Sequence, residues 1–232
     1  MIYLVPSFLS ENAVETIPLY VLSAVKNCQV IFAENERTAR RFLKSMDKEI
    51  VIDDFEWFAI HKAEEEQITA FTQKIKEGKN IAIVSEAGCP GIADPGQILI
   101  REAQKLNTEI KPLVGPSSIL LALMASGFNG QHFCFHGYLP IDNMERIKNI
   151  KQLEEESARK KCTQIFIETP YRNKKILETI LQHCHPSTQL CIAAELTSIN
   201  EFIRTKTISD WKKETIDLHK KPVIFLLQSI RN

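Results

Sequence analysis

The stretch Ile81-Ala82-Ile83-Val84-Ser85-Glu86-Ala87-Gly88-Cys89-Pro90-Gly91-Ile92-Ala93-Asp94-Pro95-Gly96 decides the fold. Its first four residues are apolar and mostly β-branched, the pattern of a strand buried on both faces. Three of the eight glycines and two of the ten prolines of the chain then follow within a dozen residues. Glycine lets backbone approach a ligand closely and adopt positive φ, and proline stiffens the turn, so a rigid loop with exposed amides is expected at the carboxyl end of a strand. In open α/β sheets that edge is where ligands bind. Gly88, Gly91 and Gly96 do not have the GxGxxG spacing of dinucleotide sites, and the loop lacks the Lys-Ser/Thr of a Walker loop. The bland alternative is a tight strand-to-helix connection that binds nothing.

Outward from this loop, short apolar runs alternate with longer segments of helical period, as in parallel strands joined by crossover helices. Strands are expected at Ile2 to Pro6, Val30 to Ala33, Ile50 to Ile52, Ile81 to Ser85 and Ile110 to Leu113. Helices are expected at Ala13 to Val25, Glu36 to Met46, Ala63 to Lys76 and Gly96 to Leu106. Residues 1–114 thus read as an α/β domain with a doubly wound, mostly parallel sheet. After Val114-Gly115-Pro116 the texture changes, and residues 115–232 read as a second α/β domain with a mixed sheet. It has helices at Ser117 to Ser126, Asn143 to Lys161 and Asn173 to His183, and strands near Phe133 and at Thr163 to Glu168, Leu190 to Glu195, Glu201 to Thr207 and Val223 to Gln228. The short connections among the later strands favour hairpins.

Composition sets the remaining bounds. The 29 basic and 29 acidic residues cancel, so any nucleic-acid role requires a local basic face rather than a global field. Six cysteines occur singly with no CxxC pair, and no signal peptide precedes the first strand, which together suggest reduced thiols and a cytoplasmic location. No apolar run reaches the ~18–20 residues of a membrane span. His183-Cys184-His185 brings three metal-type side chains together, but adjacent residues at a helix end diverge and no second cluster completes a site, so no metal is expected. In Pro112-Leu113-Val114-Gly115-Pro116-Ser117-Ser118 the Gly-Pro pair turns the chain and Ser117 suits the cap of the following helix. Such a start offers amides and hydroxyls to a carboxylate or ribose, or is simply a well-made cap.

With these motifs in order, the chain resembles the tetrapyrrole methylase superfamily, in particular its branch acting on ribosomal RNA. The resemblance runs through Tyr3-Leu4-Val5-Pro6, Ala33-Glu34-Asn35-Glu36-Arg37, Val84 to Gly96, Gly115-Pro116-Ser117-Ser118, Ala125-Ser126-Gly127, Gly137-Tyr138-Leu139-Pro140, Glu168-Thr169-Pro170 and Glu195-Leu196-Thr197. It implies a homodimer of two-domain subunits, each holding S-adenosylmethionine in a cleft between the domains. The implied cofactor contacts are Pro6, Gly88, Cys89, Ile92, Ser117, Ser118, Ile167, Glu168, Ala194 to Leu196 and the Lys221-Pro222 segment. The implied acceptor is a ribose 2′-hydroxyl of 16S ribosomal RNA, free or in the 30S subunit. Where the family's first loop reads Thr-Pro-Ile-Gly-Asn, this chain has Pro6-Ser7-Phe8-Leu9-Ser10-Glu11-Asn12, which loses the glycine and gains bulk. Glu86 stands where Asp is usual, Cys89 where Thr is usual, Asn35-Glu36 in place of Asp-Thr, and Tyr171 in place of His.

Methyl transfer from a sulfonium is an in-line displacement that neutralises charge, so alignment and exclusion of water supply most of the rate. A ribose hydroxyl must still lose its proton, for which Glu34 and Glu168 are the candidate carboxylates. Arg37, Arg40 and Arg41, with Lys44, are spaced as one helical face opposite the apolar stripe Ala39, Phe42, Leu43 and Met46, and are the candidate contacts to RNA. Two other readings stay open: C-methylation of a tetrapyrrole-like small molecule, favoured by a broad apolar acceptor cavity, and a non-catalytic cofactor- or RNA-binding role.

Overall fold

The computed structural model describes residues 1–11, 13–60 and 64–229. Asn12 of the first loop, Ala63 at the expected start of the third helix, and Asn232 lie outside the described residues. The chain forms two compact units, Met1–Ser117 and Ser118–Asn232.

In the N-terminal unit the strands β1 (Ile2–Val5), β2 (Val30–Ala33), β3 (Glu56–Ala59), β4 (Ile81–Val84) and β5 (Ile110–Pro112) form one parallel sheet in the order β3-β2-β4-β1-β5. β2 and β4 are buried at every residue because helices cover both faces of the sheet. α1 (Leu19–Lys26) and α2 (Glu36–Met46) pack through Val21, Val25, Phe42 and Leu43 on the face carrying Val5, Ile31, Ala33 and Val84. α3 (Ile68–Lys76) and α4 (Gln97–Lys105) pack through Phe71, Leu99 and Ala103 on the face carrying Ile2, Phe32, Ile81 and Ile83. The chain therefore leaves β4 toward one face, while both neighbours of β4, β1 and β2, send it to the other. A crevice opens where such connections diverge at the carboxyl edge.

Two expectations are corrected. Ile50 to Ile52 is not the third strand: Val51 is 53% exposed, Ile52–Asp54 is a 3-10 turn, and β3 lies at Glu56–Ala59, paired Val30 to Glu56 through Ala33 to Ala59. β3 is an edge strand, so aromatic side chains on opposite faces suffice to hold it. Trp57 packs with the α1/α2 core, and Phe58 stacks on Phe32 at 4.7 Å. The helix expected from Ala13 is likewise interrupted. Val14–Thr16 is a 3-10 turn, and Ile17 is extended because the following Pro18 disfavours helical geometry there, so α1 starts only at Leu19. α2 spans the expected residues, with Asn35 accepting the amides of Arg37 (3.0 Å) and Thr38 (3.4 Å). α4 starts after Gly96, which has no capping side chain, and the Glu64 carboxylate accepts the Ile98 and Leu99 amides at 2.7 and 3.0 Å instead.

The C-terminal unit runs α5 (Ser118–Ser126), β6 (Phe133–Tyr138), α6 (Asn143–Lys160), β7 (Thr163–Ile167), α7 (Asn173–His183), β8 (Gln189–Ala194), β9 (Phe202–Thr207), α8 (Ile208–Trp211) and β10 (Val223–Gln228). The sheet is mixed, as expected, in the order β6-β7-β10-β8-β9. β6 and β7 are parallel, β10 runs antiparallel to both β7 and β8, and β8-β9 is an antiparallel pair. Since Ile224 pairs with Ile167 and Val223 with Ala194, the carboxyl ends of β7 and β8 converge on the start of β10. Phe166 stacks on Phe225 at 5.7 Å within the core. The buried Arg146 is satisfied by Thr179, Ile141 and Asn143, as a buried guanidinium must be. Glu154, from the acidic run of α6, is buried and accepts from the His185 amide and the Thr188 hydroxyl. Among the described residues no helix is long and apolar enough to cross a membrane, and no group of three or more His, Cys, Asp or Glu is gathered for a metal ion.

Candidate functional site

The loops after β1 and β4 are joined by a pair of backbone hydrogen bonds, Ser7 N–H to Gly88 O at 2.9 Å and Gly88 N–H to Ser7 O at 3.0 Å. The loop after β5 closes on both. Gly115 lies so close to Pro6 that a Cβ there would overlap the proline ring, and the Cys89 thiol points to Pro116 O at 3.6 Å. Pro6, Gly88, Cys89 and Ser117 therefore belong to one loop assembly at the carboxyl edge of the parallel sheet, and α5 begins at the next residue, Ser118. Gly88 has φ +77°, a conformation costly for other residues, and its α-carbon faces Leu9 and Pro116 O. Ile92 is 54% exposed at the far end of the same loop. Burial raises the Cys89 thiol above its ordinary value, so it stays protonated and unreactive.

A buried polar network stiffens this assembly. Ser7 Oγ donates to Ser85 O at 2.6 Å, while Ser85 Oγ lies 2.7 Å from Asp94 Oδ2 and 3.0 Å from Ala87 O. Burial, with a smaller contribution from Glu86, pushes the Asp94 carboxyl above its ordinary value, against the Ser85 hydrogen bond. The folded protein thus holds this proton more tightly than the unfolded chain. The contribution of Asp94 to stability falls as pH rises from the unfolded value of 3.8 through the raised folded value. Asp94→Asn removes the charge and supplies a donor to Ser85, so it is expected to raise Tm at neutral pH but not below pH 3.8. Thermal melts at the two pH values check this, and an equal effect at both would refute it.

Beside the network, Ser7, Phe8, Leu9, Glu11, Ser85, Glu86 and Ala87, with Thr38, Arg41, Phe42 and Ser45 of α2, line a cavity of about 370 Å³. The four α2 residues follow the i, i+3, i+4, i+7 spacing of one helical face. That face splits the expected basic stripe. Arg41 lines the cavity, and Arg37 is exposed. Arg40 turns the other way, paired with Glu36 at 3.3 Å and lying over Trp57 at 4.9 Å. Lys44 donates to Lys48 O. Thr38 and Ser45 were not singled out from the sequence, and Glu11 and Glu86 stood out there only as departures from the family's loops. The helical period starting at Thr38 carried the signal for the first two, and only the fold brings Glu11 and Glu86 beside them. Phe8, the bulk gained in the first loop, packs edge-on against Phe42 at 5.3 Å and walls the cavity. Glu34 follows β2 and its carboxylate accepts the Glu86 amide at 3.3 Å, one step back from the lining.

In the C-terminal unit, Ile167, Glu168, Ala194, Leu196 and Pro222 are gathered at the end of the sheet where β7 and β8 meet the start of β10. The Glu195 amide bonds to Pro222 O at 3.0 Å, and the Glu195 carboxylate pairs with Lys221 at 3.0 Å. Glu195 (φ 52°) and Thr197 (φ 67°) both adopt left-handed backbone, which aims this turn at a cost typical of functional loops. Glu168 is buried, and its Oε1 pairs with Arg172 at 2.5 Å and accepts the Thr169 amide at 2.6 Å.

Residues 13–211 match the model of the family described as Tetrapyrrole (Corrin/Porphyrin) Methylases. The chain is 31% identical to the "Ribosomal RNA small subunit methyltransferase I" of Buchnera aphidicola subsp. Schizaphis graminum, covering 98% of this chain and 77% of that protein. It is 33% identical to the Escherichia coli O157:H7 protein of the same name, over 74% of this chain but only 60% of that protein's length. Among solved structures it is similar to the methyltransferase CobJ, with a TM-score of 0.66, 19% identity and coverage of 100% of this chain and 95% of that one. It is also similar to a uroporphyrin-III-C-methyltransferase from Thermus thermophilus, with a TM-score of 0.56, 16% identity and coverage of 98% and 91%. At these identities the two structures speak for the fold alone.

Proposed function

Because the chain belongs to the tetrapyrrole (corrin/porphyrin) methylases and is a methyltransferase of that family, we propose that it methylates a ribose 2′-hydroxyl of 16S ribosomal RNA with S-adenosylmethionine as donor. The observation that carries the choice of acceptor is the cavity beside the Ser7–Gly88 bridge. Its size is that of a small-molecule site. Its lining sets Arg41, Thr38, Ser45, Glu11 and Glu86 among the apolar walls of Phe8, Leu9, Phe42 and Ala87, so it offers partners to the phosphate and hydroxyls of a ribonucleotide as well as to a base, where a broad apolar macrocycle would leave those charged groups unmatched. The names of the relatives, small-subunit ribosomal RNA methyltransferases, favour the same acceptor.

The residues fit the cofactor. Contacts are proposed from Pro6, Gly88, Cys89, Ile92 and Ser117 on the N-terminal unit and from Ser118, Ile167, Ala194, Leu196 and Pro222 on the C-terminal unit. These are mostly small or apolar side chains on backbone-rich turns, two of them built on left-handed residues, suited to a ligand held largely by amides and carbonyls. S-adenosylmethionine, when bound, supplies a methyl group activated by its sulfonium. The chain contributes alignment and a proton acceptor. Glu86, an exposed residue of the cavity lining, is proposed to take the ribose hydroxyl proton, and Glu34 to position it by holding its amide. Arg41 is proposed to bind a phosphate of the acceptor, with exposed Arg37 as a further contact to the RNA. Arg40 and Glu168 already have partners and serve the fold of their loops. A ribosomal acceptor supports a cytoplasmic location, and family resemblance supports a homodimer.

Transfer of radiolabelled methyl groups to unmodified 16S ribosomal RNA and to 30S subunits, beside calorimetry with S-adenosylmethionine, tests the reading. Label in one ribose is the expected result. Cofactor binding with label only in a small-molecule acceptor would replace the RNA reading, and no cofactor binding would refute the whole proposal.

A further inference from the structure

Resting on the RNA reading of the acceptor, we infer that the rim formed by Tyr171, His219 and the lysines around them is a stacking platform for an unpaired nucleotide of the RNA. Tyr171 is 71% exposed and packs edge-on, 6.2 Å between ring centroids, against His219, itself exposed. A core or a capping contact would bury these rings, and here each ring's main aromatic neighbour is the other. The rim is nonetheless rigid. Lys220 N–H bonds to Pro170 O at 3.1 Å, and the buried Asn173 side-chain amide donates to Leu218 O at 3.2 Å and to Lys221 O at 2.7 Å. The segment carrying His219 is thereby pinned against the start of α7. Asp217 caps the same turn by accepting the His219 amide at 2.9 Å.

Charge and location point to one kind of occupant. Lys174 and Lys175 follow Tyr171 within four residues and Lys220 follows His219; all three are exposed and form no ion pair among the described residues, whereas Arg172 and Lys221 are held by Glu168 and Glu195. Exposed aromatic faces flanked by unpaired cations are the means by which proteins hold single-stranded nucleic acid. Bases stack on the rings and phosphates meet the lysines, and a duplex, whose bases are already stacked, gains nothing from them. The platform adjoins Glu168 and Pro222 at the end of the C-terminal sheet. Tyr138, 57% exposed and paired in register with Ile167, stands at the same end.

The test is fluorescence anisotropy with a fluorescein-labelled unstructured oligoribonucleotide and a duplex RNA of the same sequence, using the full chain. The wild type is expected to prefer the single strand. Tyr171→Ala is expected to weaken it about ten-fold, Tyr171→Phe to bind within about two-fold of wild type because the π-face is kept, and Lys174→Ala to lower the salt slope by about 0.7. Calorimetric affinity for S-adenosylmethionine should be the same in all three variants, which separates a local loss from a misfolded protein. Equal RNA binding by wild type and Tyr171→Ala, or loss in Tyr171→Phe matching that in Tyr171→Ala, would overturn the platform. A wild type that methylates a small molecule and binds no RNA would overturn the acceptor reading and the platform with it.

Discussion

Glu86→Gln is expected to lower kcat about a hundred-fold while leaving S-adenosylmethionine affinity at the wild-type value. Removal of a proton acceptor costs about 10²–10⁴-fold where deprotonation accompanies the chemistry, and the lower end applies because the methyl donor is already activated. Glu86 is an exposed residue of the cavity lining, and its backbone is fixed by Glu34 and by its place just after β4. Glutamine keeps the size and hydrogen-bonding shape, so the loss falls on kcat rather than KM. Glu34→Gln retains an acceptor for the Glu86 amide and is expected to lose far less. Steady-state kinetics on the labelled-methyl assay measure both. A Glu86→Gln enzyme within three-fold of wild type, about 0.65 kcal/mol, would remove Glu86 from the chemistry.

Gly115→Ala is expected to destabilise the N-terminal unit by about 2–3 kcal/mol, as for other overpacked sites. The added methyl would overlap the Pro6 ring. Pro6 cannot move away, because Ser7 beside it is tied by two backbone hydrogen bonds to Gly88 and by its hydroxyl to Ser85. Nor can the Gly115 segment retreat easily, since the Val114 amide is held by the Tyr20 hydroxyl at 2.6 Å and Pro116 O receives the Cys89 thiol. For a chain of this length the cost corresponds to a fall in Tm of about 5–10 °C, with cofactor affinity reduced as well. A Gly115→Ala protein that melts within 2 °C of wild type, less than ~1 kcal/mol of change, would show that the two loops can separate cheaply.

Much of the architecture was legible in the residues because burial on both faces leaves a continuous apolar signature. Val30–Ala33 and Ile81–Val84 could hardly be anything but inner strands, and the alternation of such runs with helical segments required parallel crossovers. Glu36–Met46 was equally plain, with a polar cap before it and a regular apolar stripe. β3 was misplaced because an edge strand pairs on one side only and carries a weak pattern, so the β-branched Ile50 to Ile52 outweighed Glu56–Ala59. The glycine-proline loop at the carboxyl edge of the sheet was legible through chemistry that is local to the chain.

Long-range geometry decided the rest. Which arginine of α2 faces the cavity depends on Trp57, more than a dozen residues away, drawing Arg40 to the opposite side. That Glu86 and Glu11 share a wall with Thr38 and Ser45 follows from strand order, which sets β4 between β1 and β2. Whether the Glu168 carboxylate is available depends on Arg172 reaching back across the turn before α7 to pair with it. Periodicity and turn chemistry act over a few residues, so the sequence determined the class of fold, the rigid loop at the carboxyl edge of the sheet and the family. Strand order and side-chain pairing act between residues far apart in the chain, so only the tertiary structure decided which charged groups at that edge remain available for chemistry.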